Sequence, residues 1–435
     1  MSQQLTFRKN RWIDGWNPED EEQWGKVGQK IANRNLGFSI YAEFLGFVVW
    51  QLWSIVVVSL GKYGFAFDDG QQFWLISLPS LVGATLRFPY TFMVSKIGGR
   101  NWTIVSAALL LIPTIAMTFA IGNHPVDGQG GTSYAVMLLV AALGGFGGGN
   151  FASSMANITF FFPQRSKGWA LGLNAAGGNI GASVSQFAVP ILVSVTAAAD
   201  VPNLPIAGWI WIPFIIVAVL GAVFFMNNLT SAKTDYKAYV AALKDPQLWL
   251  MSLLYIGTFG SFIGLSGAFP KLIADQFTAY STFAVGAASL SLAFLGPLVG
   301  SLARPYGGRL ADRFGGAIIT VIAFVVMAAG TVAVIGALSV ETPSFWAFLA
   351  CFLVVFVATG VGNGSMYRMI PTVFAFAAGQ TDAQHRSAGI STERKTSAAL
   401  GIVSACGAYG GFLMPQLFNA TLKQTADHPV ASQVV

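Results

Sequence analysis

The chain has 435 residues, of which 54% are hydrophobic and only 10% are charged. Because a soluble domain carries about 25% charged residues, this composition excludes an ordinary soluble protein and predicts an integral membrane protein. The formal net charge is +6.

The charged residues 1–35 predict a cytoplasmic N-terminal arm, and the first apolar segment starts too late for a cleavable signal peptide. Windows of about 20 apolar residues predict an all-α protein with eleven spans, near 36–60, 73–95, 102–122, 134–161, 167–197, 207–228, 247–270, 281–303, 317–339, 344–373 and 397–420. We group these as an N-terminal bundle (36–228), a cytoplasmic linker (229–246), a C-terminal bundle (247–420) and a tail (421–435).

Lysine and arginine are concentrated in the arm and in every second connection between spans. The positive-inside rule therefore predicts a cytoplasmic N-terminus. This asymmetry accounts for the net charge, so we expect the lipid bilayer and no nucleic acid as a partner.

Two arginines occupy equivalent positions in the two halves. Arg87 and Arg304 each follow a Val-Gly pair by four residues and precede a Gly-Gly pair by eleven. A charge at bilayer depth costs at least about 2.5–3.5 kcal/mol, so a matched pair indicates a protein that handles an anion. The alternative is that an arginine near a span end extends to the interface, above all Arg304, which lies five residues before Arg309.

Glycine is abundant in residues 144–157 and 168–186. Each helix-interior glycine costs roughly 1 kcal/mol relative to alanine, but in a bilayer it lets helices approach closely. In these two stretches and the matching part of the second half, we predict roles in helix packing or gating for Gly145, Gly172, Gly177, Gly178, Gly401, Gly407 and Gly410. Asn174 lies within the second stretch, where its amide could donate to an anion.

Several segments resemble a known family. GGRLADRFGG (307–316) resembles the signature of the major facilitator superfamily, while FFPQRSKGWALGLNAAGGNIGASVSQFAVP (161–190) and ALGIVSACGAYGGFLMP (399–415) resemble the paired nitrate signatures of the nitrate/nitrite porter family. The resemblance implies two pseudo-symmetric helical bundles, nitrate and nitrite as substrates, and a monomer in a bacterial cytoplasmic membrane. It implies a transporter rather than an enzyme, with no metal or cofactor.

The family has twelve spans, whereas eleven are visible in this sequence. We therefore keep open the alternative of an inactive, truncated anion-binding remnant.

By resemblance, Arg87 and Arg304 hold the anion from opposite halves. A planar guanidinium with its fork of donors suits flat nitrate better than the point charge of lysine. Tyr255 and Phe259 are four residues apart and share a helix face. The aromatic walls implied by the resemblance are Phe47, Phe146, Tyr255 and Phe259.

Charge predicts the mode of coupling. At a separation of ~7 Å and an effective dielectric of ~20, two arginines repel by roughly 2.4 kcal/mol. Closing around an empty site is then unfavourable, which favours exchange of nitrate for nitrite. The alternative is nitrate/proton symport through Glu43, the only acidic residue within a predicted span, which lies four residues before Phe47.

Overall fold

Helices of membrane length form the body of the protein. The computed structural model describes residues 5–126, 129–197, 202–233, 236–387 and 392–427. The first half contains α1 (Glu21–Gln23), α2 (Gln29–Leu60), α3 (Asp69–Ile97), α4 (Gly99–Leu109), α5 (Leu111–Gly122), α6 (Tyr134–Leu143), α7 (Gly145–Phe161), α8 (Gln164–Val195), α9 (Ile206–Trp209) and α10 (Trp211–Phe225). After α11 (Tyr236–Leu243), the second half contains α12 (Pro246–Tyr255), α13 (Ser261–Gln276), α14 (Leu295–Phe314), α15 (Gly316–Leu338), α16 (Phe345–Ser387), α17 (Thr392–Ala408) and α18 (Gly410–Asp427).

In the part of the chain that the structure describes, nine helical segments are long and apolar enough to cross a membrane. Helices α3 and α14, which carry the two arginines, are two further helices of membrane length. The chain is therefore a multi-pass membrane protein. The predicted bundle boundaries stay predictions, and residues 428–435 of the predicted tail lie outside the described residues.

One predicted span is wrong in position. The sequence predicts a span near 281–303, but Phe283–Val285 (β4) and Ala288–Leu290 (β5) form an antiparallel hairpin that turns at Gly286 with φ +61°. The helix runs instead over Leu295–Phe314. The final turns of this helix carry charged residues, so the apolar window used for the prediction lies nearer the N-terminus than the helix does.

A capping box begins α3. The Asp68 carboxylate accepts from the Gln71 backbone N–H, and the Gln71 side chain accepts from the Asp68 backbone N–H.

The two arginine-bearing helices end in the same way. Helix α3 ends at Gly98 (φ +92°) and α14 ends at Gly315 (φ +94°), a left-handed conformation that favours glycine. Each arginine therefore lies about 16 Å along its helix from an equivalent glycine terminus.

The N-terminal arm is packed against one end of the helices. Strands Thr6–Phe7 (β1) and Trp12–Asp14 (β2) are antiparallel, and β2 pairs in parallel with Asn228–Leu229 (β3), just before α11. The indole N–H of Trp16 donates to the carbonyl of Phe160 at the end of α7 (3.1 Å). We call this end of the molecule the arm face and the opposite end the far face.

At the far face, an ion pair joins the two halves. Lys271 of α13 donates to Asp69 of α3 (2.7 Å) and to Asp275 (3.0 Å), and its side chain is only 3% exposed. Nearby, the Gln186 amide of α8 donates to the carbonyl of Ser266 (2.7 Å). These contacts hold the far ends of the halves together.

Glycine allows close packing at six of the seven predicted positions. An added Cβ would meet Val82 at Gly145, Ile40 at Gly177, Glu43 at Gly178, the Tyr239 hydroxyl at Gly401, the Tyr255 ring at Gly407 and the Gly260 backbone at Gly410. Gly172 is the exception, because a Cβ there meets nothing within 4 Å. Six residues are about one and two-thirds helical turns, so Gly172 is directed away from the seam that Gly178 forms.

The glycine seam gives a matched pair of substitutions. A Cβ at Gly147 would overlap the backbone carbonyl of Gly46, which has no rotamer to adjust. We expect Gly147→Ala to destabilise the protein by about 1–3 kcal/mol, whereas Gly172→Ala should be neutral or stabilise by up to about 1 kcal/mol. The measurement is the thermal unfolding midpoint in detergent, and equal midpoints for the two variants would contradict the packing described here.

Candidate functional site

Arg87 is fully buried at the contact between the two halves. It lies on α3, where its Nε donates to the carbonyl of Gly148 on α7 (3.0 Å) and its Nη1 donates to the carbonyl of Ser404 on α17 (2.7 Å). The side chain is 0% exposed. It therefore does not extend to an interface, and it bridges the first half to the second.

Arg304 has an equivalent place on α14. It is 3% exposed, and its Nη2 donates to the Tyr255 hydroxyl (3.3 Å). Extension to the interface, the alternative raised above, is therefore wrong for the described conformation.

The two guanidinium groups share the same pair of aromatic rings. The Cζ of Arg87 lies 4.6 Å from the ring centroid of Phe151 and 5.2 Å from that of Phe259. The Cζ of Arg304 lies 5.7 Å and 6.0 Å from the same two centroids. The rings themselves stack, with centroids 6.0 Å apart. A cation over an aromatic ring is stabilised by about 0.5–2 kcal/mol, so these rings offset part of the cost of burying two charges.

Local helix geometry presents the aromatic residues of the second half. Tyr255 ends α12, and Phe259 lies in the π turn Ile256–Gly260 that joins α12 to α13. Their rings stack at 5.3 Å, as their spacing of four residues predicts. Single π turns are frequent at functional sites, and this one places both residues beside the arginines.

Glu43 belongs to the same buried region. It is 1% exposed and lies on α2, where its carboxylate accepts from the hydroxyl of Ser154 and from the amide of Asn174 (2.7 Å). It interacts electrostatically with both Arg304 and Arg87. The carboxylate is therefore buried beside the two arginines rather than solvated.

The other residues named from the sequence lie in different surroundings. Asn174 donates its amide N–H groups to Glu43 and to the Ser154 hydroxyl (2.6 Å), so in this conformation both donors are occupied by the protein rather than available to a substrate. Phe47 is buried and contacts the Phe151 ring edge to face at 6.3 Å. Phe146 is half-buried, and among the described residues the ring contacts with the arginines involve Phe151 instead.

Three aromatic residues that contact the arginines were not predicted from the sequence. The first is Trp50, whose ring lies 5.4 Å from the Cζ of Arg87. Phe151 lies five residues beyond Phe146 on α7, and Tyr367 on α16 lies with its ring 5.5 Å from the Cζ of Arg304. The internal repeat was the signal for Tyr367. Tyr367 and Ser154 occupy equivalent positions, each four residues after the asparagine of a Gly-Asn pair (Gly362-Asn363 and Gly149-Asn150).

Hydrogen-bonding capacity remains at this site. Among the described residues, the buried Nη2 of Arg87 and Nη1 of Arg304 have no partner, and neither do Oε1 of Glu43 and Oδ1 of Asn174. An unsatisfied N–H of a charged group is costly to bury, so the two guanidinium donors are suited to a small anion with several acceptor oxygens. The same described residues contain no cluster of three or more metal-ligating side chains.

A multi-pass helical protein of two halves with a buried charged site between them has the architecture of a membrane transporter. The sequence pattern of the Major Facilitator Superfamily matches residues 42–415. The fold is similar to that of the xylose transporter XylE from E. coli in an inward-open conformation, with a TM-score of 0.63, 12% identity and coverage of 88% of this chain and 89% of that one.

More similar sequences refine the class. The chain is 40% identical to the nitrate/nitrite transporter NarU of Salmonella typhimurium strain LT2, over 98% of this chain and 93% of that protein. It is 33% identical to the probable nitrate/nitrite antiporter NarK2 of Thermus thermophilus, over 97% and 92%. The chain therefore belongs to the nitrate/nitrite porter family of the major facilitator superfamily. The predicted family and fold are confirmed, and the protein is a transporter, not an enzyme.

The shared rings lead to a stability prediction. Phe151→Leu removes one aromatic face from both guanidinium groups, and each lost contact should cost about 0.5–2 kcal/mol. We expect a clear fall in the thermal unfolding midpoint in detergent. Phe146→Leu is the matched control on the same helix, and its shift should be less than half as large. Equal shifts would show that Phe151 does not support the arginines.

Proposed function

We propose that this protein carries nitrate and nitrite across a bacterial cytoplasmic membrane, with the anion held between Arg87 and Arg304. The observation that carries the proposal is the pair of buried guanidinium groups, one from each half, each with an N–H that has no partner among the described residues. The names of the similar proteins support these two anions as the substrates.

We further propose that the arm face is cytoplasmic. The basic connections of the chain lie at this end, as the positive-inside rule requires. The far face, with its Lys271–Asp69 ion pair, then faces outward. Opening toward either side separates the halves at one face while the opposite face stays closed, as in other transporters with repeated halves.

Exchange of nitrate for nitrite is the mode that we favour. Exchange moves one negative charge in each direction, whereas net uptake of an anion works against an inside-negative potential at about 2.3 kcal/mol per 100 mV. An empty site also leaves the two guanidinium groups without the anion that neutralises one of them. Both arguments favour return of the carrier in a loaded form.

Counterflow in proteoliposomes tests both substrate and mode. Nitrite-loaded vesicles should take up nitrate rapidly, and empty vesicles should not. Arg87→Lys and Arg304→Lys keep the charge but lose the fork, so we expect roughly 10- to 100-fold weaker transport, the equivalent of one lost charge-assisted hydrogen bond. Arg309→Lys, at an exposed position on α14, is the matched control. Equal uptake into empty and loaded vesicles would exclude obligatory exchange.

Nitrate/proton symport is a second candidate, and the position of Glu43 favours it. The carboxylate has one oxygen without a partner among the described residues and interacts with both arginines. If Glu43 takes up a proton whenever an anion binds, the loaded and the empty site carry the same net charge of about +1. An empty carrier could then return, which symport requires.

Glu43→Gln separates the two modes. Under symport, a pH gradient drives nitrate uptake by the unmodified protein, and Glu43→Gln abolishes that uptake while nitrate/nitrite counterflow continues. Glu341→Gln, at an exposed position between α15 and α16, should behave as the unmodified protein. Uptake that is indifferent to the pH gradient in the unmodified protein would exclude the symport mechanism.

A further inference from the structure

Helix α11, in the connection between the two halves, packs against the arm face. The ring of Tyr236 stacks on Phe92 of α3, with centroids 5.0 Å apart, and the ring of Tyr239 contacts the same phenylalanine at 4.6 Å. Ala238 and Ala242 are buried on the inner side of this short helix. The helix itself packs mainly against α17 of the second half, and its two tyrosine rings reach across to α3.

The hydroxyl of Tyr239 extends from α11 to the joint between α3 and α17. A Cβ added to Gly401 of α17 would lie 3.0 Å from the Tyr239 oxygen and 3.5 Å from the Thr91 methyl group, so the hydroxyl fills the space beside both residues. Thr91 donates its only hydroxyl proton to the carbonyl of Arg87 (2.7 Å).

This joint lies directly below the arginine site. Thr91 is four residues, or one helical turn, beyond Arg87 toward the arm face. Gly401 is three residues from Ser404, whose carbonyl accepts from Arg87 (2.7 Å). The Tyr239 hydroxyl thus lies about one turn below the Arg87–Ser404 contact, between the same two helices.

A narrow cavity lies between the arginine site and the level of Tyr239. It lies between α3, α7, α16 and α17, and its walls include Thr91, Met155, Tyr367, Gly401 and Ser404. Tyr367 lies against Arg304 at its upper end, while Thr91 and Gly401 form the end against which Tyr239 packs. An anion that leaves the arginines toward the arm face along this cavity meets the Tyr239 hydroxyl.

We propose that Tyr239 is the gate of the anion path at the arm face, with α11 as the element that carries it. The proposal rests on the proposed function of the arginine site. Because α11 packs on α17 and the ion pair of Lys395 with Asp245 ties the end of α11 to that helix, opening at the arm face separates Tyr239 from Thr91 and Phe92 of α3 and uncovers the mouth.

The chemistry of the gate suits an anion. Burial raises the pKa of Tyr239, so its hydroxyl is protonated and donates at neutral pH. An anion that arrives at the mouth can accept this proton in a hydrogen bond. The gate therefore offers the substrate a donor as the two helices separate.

Cysteine accessibility tests the gate without reference to the substrate. Ala156 lines the cavity and belongs to neither arginine contact, so Ala156→Cys in a background with Cys351→Ala and Cys406→Ala is a reporter. Inside-out vesicles expose the proposed cytoplasmic face to a membrane-impermeant methanethiosulfonate. Tyr239→Ala removes the side chain that closes the mouth, so it should speed labelling of the reporter roughly 10-fold, the effect of about 1.4 kcal/mol.

Tyr239→Phe keeps the ring and the contact with Phe92, so it should fold normally and speed labelling by a smaller factor. Tyr236→Ala is the matched control. The ring of Tyr236 also stacks on Phe92, but it is exposed and does not lie beside Thr91. The gate proposal is overturned if neither Tyr239 variant changes the labelling rate, or if Tyr236→Ala changes it equally. Failure of nitrate counterflow with an intact labelling effect would instead refute the proposed substrate and keep the gate.

Discussion

The structure depends on the burial of two guanidinium groups in the middle of a helical bundle. Each charge loses its hydration, so the protein must supply carbonyl oxygens, a hydroxyl and aromatic faces in place of water. Arg87 takes its carbonyls from both halves, at Gly148 and at Ser404. The site is therefore complete only while the two halves are in contact around it, which links the stability of the closed state to the contents of the site.

The glycines of α7 follow from the same constraint. Arg87 reaches the carbonyl of Gly148 because nothing stands between α3 and the α7 backbone. A Cβ at Gly148 would meet the indole of Trp50 at 2.5 Å, and one at Gly149 would meet the Tyr90 ring at 2.8 Å. The glycine run is thus part of the arginine site as well as a packing device. Its cost in helix propensity is offset by the hydrogen bond and by the close packing of three helices.

Local periodicity predicted much of this fold and part of the site. The matched spacing of Arg87 and Arg304 to their terminal glycines is a property of single helices, and so is the shared face of Tyr255 and Phe259. Phe151 could not be found in this way, because it meets the arginines through contacts between distant helices and is one of 35 phenylalanines. The span near 281–303 was misplaced for a related reason. A hydropathy window cannot distinguish an apolar hairpin from a helix, and it discounts a helix end that carries charges.

The repeat is symmetric in architecture but not in charge. Gly178 packs against Glu43 and its repeat partner Gly407 packs against Tyr255, so a carboxylate in one half occupies the place of a phenol in the other. With Glu43 ionised, the empty site carries a net charge of about +1 rather than +2. The repulsion between two arginines alone, which predicts strict exchange, is then partly cancelled inside the protein. In the proposed transport cycle, the proton on one side chain of the first half would therefore decide whether an empty carrier returns, beside a proposed anion site to which each half contributes one arginine.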